Sequence, residues 1–323
     1  MRRFLRLAIV PAFALGLAAC DGTADSSAPS ALSASEAQLA ATLVGQALGD
    51  QSEGMVSDLR DMDAGVEASG LVYGEGPMGR GHRPGNGNGN GNGTGNGGPG
   101  AGNDWRGPRQ DGTVTYDPAT GTHRVVYNRS MQTPVGTNTL RADLAYVFTD
   151  SLGAFLRTPR TDRARVFRIV FDGERAGASR RTRPGSSASD TSSFSREATW
   201  TLSGLTRATS TFAGDQTSTG SGAFTTDSGV VRLRSYTVRL RTANATITRS
   251  ATTTGGGRPE QALTGTIAYE TVFTRTLRDG TTEQKRAEGT IDLATDGRAL
   301  MRFMGLDHRF DLDLSTGGAS KKR

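Results

Sequence analysis

The chain holds one cysteine among its 323 residues, Cys20. A lone thiol excludes an internal disulfide framework, so stability has to come from packing. Histidine is nearly as scarce. His82, His123 and His308 lie far apart, with no Cys or His at ligand spacing, so neither a metal site nor a cofactor is expected. Aromatics make up 6% of the residues, too few for the aromatic girdles of an outer-membrane barrel. No apolar run reaches the roughly 20 residues of a membrane-spanning helix. Lysine is almost missing: only Lys285, Lys321 and Lys322 occur, and arginine carries nearly all the positive charge.

Catalytic patterns are missing as well. No Gly-x-Ser-x-Gly elbow is present, and Gly220-Ser221-Gly222 lacks its spacers and reads as a loop. Asp311 and Asp313 share one side of a strand, as a glycosidase pair would, but beside Arg309 they read as a solvated face. The repeat "GNGNGNGNGTGNGG" is no phosphate cradle, since no Gly-Lys-Ser/Thr ends it. These absences point away from an enzyme.

What is present begins at the N-terminus. Arg2, Arg3 and Arg6 form a basic head, Leu7 to Leu17 is apolar, and the small residues Ala18 and Ala19 follow. That order is a secretory signal. Leu17-Ala18-Ala19-Cys20 then resembles the lipobox of bacterial lipoproteins, a likeness confined to the first 20 or so residues. The resemblance implies cleavage before Cys20 and acylation of its thiol and new amino group. Each buried methylene adds about 0.8 kcal/mol, so two or three chains hold far better than one. It further implies a body outside the cytoplasm, anchored to a membrane of the bacterial cell envelope, inner or outer undecided.

Charge is uneven along the mature chain. Cys20 to Asp104 carries three basic and eleven acidic residues, and Trp105 to Arg323 carries 32 basic and 21 acidic. The basic half predicts either attraction of an anionic partner or an arginine-rich solvated surface.

Six zones follow from composition and pattern. Residues 1–19 are the signal, and 20–32 a flexible Ser/Ala/Asp-rich stalk. Residues 33–73 are helical: Ser33 and Glu36 form a capping-box pattern, and Leu39, Leu43, Val44, Ala47 and Leu48 form a stripe. Gly45, Gly49 and Gly54 predict fraying or a kink, at about 1 kcal/mol each relative to Ala. The apolar stripe predicts docking on the sheet rather than on a membrane, because its exposed face is acidic. Residues 74–104 form a Gly/Asn-rich linker with nothing apolar to bury, predicted disordered. Residues 105–318 read as about ten antiparallel strands, and 319–323 as a basic tail.

The strand pattern is period two. Leu140, Ala142, Leu144, Tyr146 and Phe148 share a face, as do Ile267, Tyr269, Thr271 and Phe273. Asp279-Gly280 and Asp296-Gly297 are hairpin signals. Ser151–Arg157 suggests a short helical turn, and Gly173–Ser193 and Thr252–Gln261 suggest mobile loops. In the run Val231 to Arg241 the apolar residues change parity, which predicts a β-bulge near Arg234–Tyr236. The fold class is thus all-β: a large antiparallel meander curled into a barrel-like, half-barrel or sandwich body, preceded by one N-terminal helix and the linker.

Arg232, Arg234, Arg239 and Arg241 are the candidate anion-binding residues, placed on one outer face. Like charges spaced by two need a screen, either an anionic envelope component or cross-strand Glu270, Glu283 or Glu288. Outside the cytoplasm the natural anions are phospholipid head groups or lipopolysaccharide phosphates, not nucleic acid. Three functions stand in order: a non-enzymatic envelope lipoprotein that binds or supports; a carrier sheltering an apolar ligand in the curled sheet; and a cell-wall hydrolase. Whether the sheet's interior is filled, hollow or open separates the first two.

Overall fold

The computed structural model describes residues 32–67, 111–159, 161–182, 188–225, 231–248, 261–277 and 279–322. The signal, the lipobox residues Leu17, Ala18, Ala19 and Cys20, the stalk up to residue 31, the Gly/Asn linker and most of the Thr252–Gln261 loop lie outside these residues. No helix among the described residues is long and apolar enough to cross a membrane.

Two helices, α1 (Ala34–Leu48) and α2 (Met55–Glu67), precede twelve strands. The strands are β1 (Asp111–Asp117), β2 (Thr122–Thr133), β3 (Gly136–Thr149), β4 (Arg168–Thr182), β5 (Ser189–Ser203) and β6 (Thr209–Thr225). They continue with β7 (Val231–Thr248), β8 (Leu263–Thr276), β9 (Thr282–Leu293), β10 (Arg298–Phe303), β11 (Arg309–Asp313) and β12 (Ala319–Lys321). All twelve form one antiparallel sheet, and their spatial order is their sequence order. β1 and β12 are its two edges, so the meander is open rather than a closed barrel. The expected basic tail starts as strand, because β12 pairs with β11.

The helices form where the sequence places them. Ser33 Oγ accepts from the Glu36 amide at 3.3 Å, and Glu36 Oε2 accepts from the Ser33 amide at 2.8 Å. The glycines turn the predicted kink into a break. The Gly54 amide donates back to the Gly49 carbonyl at 2.7 Å, and Glu53 takes a φ of 58° to close the turn. α1 packs against β7, β8, β11 and β12 through Ala37, Ala40, Ala41, Val44 and Leu48. β8 and β11 are not neighbours, so the sheet curves around the helix to touch it. Approach is closest at Gly45, where an added Cβ would lie 2.4 Å from the Gly317 carbonyl oxygen.

The helix-facing side of the sheet is built in rows that run across the strands. At one end, here the aromatic end, lie Tyr146, Phe171, Trp200 and Phe212, all fully buried, with Trp200 and Phe212 rings 4.9 Å apart. Each such side chain contributes roughly 1.5–3 kcal/mol on burial. The other, polar end carries the β2–β3, β4–β5, β6–β7 and β8–β9 connections. Between the two, glycines sit under rings: Cβ atoms on Gly177 and Gly220 would lie 2.4 Å from Phe194 and Tyr236. This explains why Gly173–Ser193 is not the predicted loop. β4 runs to Thr182 and β5 starts at Ser189, because neighbouring aromatics fill the space that the glycines leave.

Two further expectations change. Ser151–Arg157 forms no helix. The Asp150 carboxylate accepts from the Leu152 and Ala154 amides, and Thr149 bridges to Phe155 instead. The predicted bulge at Arg234–Tyr236 is not there either. β7 pairs with β6 without interruption from Val231 to Thr242, and with β8 from Arg234 to Arg241. The irregularities fall between Phe212 and Gly214 and between Arg241 and Thr246. The parity change marks the point where the helix-facing side turns polar, so Arg234 shares that side with Tyr236 and Val238.

Candidate functional site

The first cluster of chemical interest joins α2 to the sheet. Asp58 is fully buried. Its carboxylate accepts from Arg175 Nη1, from Arg196 Nη2 at 3.2 Å and from Trp200 Nε1 at 3.1 Å. Asp61 takes a second Arg175 nitrogen at 2.5 Å, and Glu53 lies 3.7 Å from Arg175 Nε. Burial lowers the guanidinium of Arg175 to about 9 and that of Arg196 to about 10, so both stay charged at neutral pH. Each guanidinium faces at least one carboxylate and no nucleophile adjoins among the described residues, so the cluster is a fastening. A second fastening holds the start of α1: Glu36 pairs with Arg275 at 2.7 Å and with Lys285 at 3.8 Å. With α1 and α2 seated on the helix-facing side, the curve of the sheet is filled by the chain's own side chains among the described residues.

The open ground lies on the other face. Two adjoining hollows of about 740 and 450 Å³ share Ser193, Ser221, Ser235 and Thr274. Their lining comes from β3 through β9 at the polar end and is mostly outward, with Ser179, Ser192, Gly222 and Arg234 of the helix-facing side included. Hydroxyls dominate the walls, with Thr139, Thr191, Thr219 and Thr282 beside the shared four, and Arg180 and Arg234 complete the lining with two cations. Ser193 and Ser221 bond each other at 2.9 Å, and Thr191 donates to the Ala223 carbonyl at 3.3 Å. Ser235, Thr274 and Thr282 offer hydroxyls with no protein partner among the described residues. The outcome is a trough that hydrogen-bonds without a fixed charge pattern.

The chain matches no known protein family, no curated protein and no solved structure. Among the described residues no group of three His, Cys, Asp or Glu could hold a metal ion. Ser221 lies within β6, not in a loop, and its partner is another serine rather than a base. Asp313 caps the turn after β11 by accepting from the Ser315 and Thr316 amides, and Asp311 faces Lys322 at 3.8 Å. His123 is buried against Phe148 and bonds the Leu156 carbonyl at 3.1 Å.

The four candidate arginines are not brought together on one face. Arg239 and Arg241 point outward, and Arg239 pairs with Glu270 at 3.2 Å, the cross-strand screen that the sequence offered. Arg234 points to the helix side, exposed, opposite Gly222 and Arg275. The side chain of Arg232 lies outside the described residues. The sequence reading missed the trough, although a signal existed: Thr191, Ser193 and Ser195, then Thr219 and Ser221, then Ser235 and Thr237 repeat small hydroxyls at period two.

Proposed function

We propose that the chain is a lipid-anchored lipoprotein of the bacterial cell envelope whose β body is a non-enzymatic binding module. Cys20, in its lipobox-like context, is the attachment point. The trough on the outward face receives an extended, hydroxyl-rich, anionic envelope polymer. The observation that supports this reading most is the trough itself: a long hollow walled by hydroxyls, of which Ser235, Thr274 and Thr282 have no protein partner among the described residues, with Arg180 and Arg234 in its lining. Such walls suit a polyol, whose many weak donors and acceptors each find a partner. A carrier role would require α1 and α2 to leave the face they fill.

Two measurements test the reading. Cys20→Ser should release the mature protein from membrane pellets into the soluble fraction. In the released protein, Ser221→Trp and Ser235→Trp should fill the trough and weaken binding to isolated envelope polysaccharide at least tenfold, and binding by the unaltered trough should fall as salt rises. Membrane retention without Cys20 would end the anchor reading. Polysaccharide binding that ignores both tryptophans would end the trough reading.

A further inference from the structure

The helix-facing side of the polar end carries one row unlike the others. Asn138, Ser179, Ser192, Gly222, Arg234, Arg275 and Glu283 follow one another across seven strands, each the direct cross-strand partner of the next. Arg275 is satisfied, with Glu36 at 2.7 Å and Glu283 at 2.9 Å. Arg234 sits directly opposite it with the same charge, an arrangement that weakens a sheet unless something neutralises it. Arg234 has no carboxylate partner among the described residues.

Its other neighbour is Gly222, and nothing in the backbone demands glycine there. Gly222 does not adopt a left-handed conformation. A Cβ added to it would meet the Thr191 carbonyl at 3.4 Å and Arg234 Nε at 3.5 Å, which are ordinary contacts. At Gly173, Gly177 and Gly220 the missing side chain is replaced by the ring of Phe171, Phe194 or Tyr236. At Gly222 no ring enters. The result is a small gap over Gly222, bordered by Arg234, whose Nε and Cγ would lie 3.5 and 3.7 Å from that Cβ. The Arg234 guanidinium lies along one wall, and the Ser192 hydroxyl, which has no protein partner among the described residues, forms the other.

We propose that this gap is a slot for a phosphate group, held by Arg234 and Ser192 over Gly222. A guanidinium gives two parallel N–H donors to a tetrahedral oxyanion, and a hydroxyl reaches a third oxygen that a planar carboxylate would lack. Ser179 stands next in the row as a further hydroxyl. The half-buried rings of Phe194 and Tyr236 form the row behind, suited to the carbon side of a phosphate ester. Ser179, Ser192, Gly222 and Arg234 also line the 740 Å³ hollow, so the slot adjoins the trough, and it does not depend on acylation.

The test uses the mature chain carrying Cys20→Ser, titrated calorimetrically with inorganic phosphate, glycerol 3-phosphate and a monomeric short-chain phosphatidylglycerol. At least one should bind, and Arg234→Gln and Gly222→Val should each weaken it tenfold or more with the melting temperature unchanged. Gly222→Val keeps every charge, so its effect separates the slot from general attraction. Arg298→Gln, on β10 away from this row, should change nothing. Preference for the lipid marks a head group as the source, and equal binding of glycerol 3-phosphate marks a free or polymer phosphate. The proposal is overturned if none of the three binds, or if binding survives Arg234→Gln or Gly222→Val unaltered.

Discussion

The Asp58→Asn variant tests most directly what holds the helices to the sheet. Asp58 receives three donors, two of them from guanidinium groups with almost no solvent access. Removing one partner of a buried ion pair costs about 3–5 kcal/mol, chiefly because the partner charge is left stranded. Here Arg175 keeps Asp61 and Glu53, and Arg196, with no second ion pair among the described residues, still feels the charges of Glu53 and Asp61. The expected loss is therefore toward the lower bound, about 3 kcal/mol. In a body of about 200 residues each kcal/mol moves the midpoint by roughly 2–4 °C, so the melting temperature should fall by about 6–12 °C. Trp200 reports the same event: losing its acceptor and its helix cover, it should emit further to the red. The combined change Asp58→Leu, Arg175→Met and Arg196→Met should regain most of the loss, since apolar packing commonly equals a buried ion pair. Thermal melts followed by circular dichroism and by tryptophan fluorescence decide the matter. A fall of less than about 2 °C for Asp58→Asn, or a triple variant weaker than the single one, would refute the reasoning.

Two further outcomes follow from the same packing. Gly45→Leu has to displace the backbone of Gly317, so α1 should lift from β12 and stability should drop by about 1–3 kcal/mol, read as a lower denaturation midpoint. His123 is buried, which lowers its pKa despite the bond to Leu156, so the unfolded chain takes up a proton before the folded one. Stability contributed by the neutral ring is then complete above about pH 6.5 and declines as pH drops below it. Melts between pH 7 and 5 should show a slope that His123→Phe flattens, and an unchanged slope would count against the buried neutral ring.

Much of the body was legible because strands carry their own periodicity. Leu140, Ala142, Leu144, Tyr146 and Phe148 all lie on the buried side of β3, and Ile267, Tyr269, Thr271 and Phe273 on that of β8. Gly280 and Gly297 take the left-handed conformations that their Asp-Gly turns imply. The capping box formed because its two residues are three apart and need nothing else. What failed were inferences needing a neighbour from elsewhere. The stretch after Gly173 looks like loop until Phe194 is laid over Gly177. The parity change before Tyr236 looks like a bulge until it is clear where the apolar cover of that face ends. The candidate arginines looked like one row, yet the uninterrupted pairing of β7 puts Arg234 on one side and Arg239 and Arg241 on the other.

By itself the sequence determined the all-β meander, the leading helical segment and its cap, since alternation, turn chemistry and capping act over a few residues. Only the tertiary structure decided that Asp58 meets Arg175 and Arg196, 117 and 138 positions away, and that Gly222 stands beside an unpaired arginine. It also decided that small hydroxyls from seven strands line one trough. Such meetings depend on strand register and on the curvature of the whole sheet, and those are settled jointly by many residues, so no single segment records them.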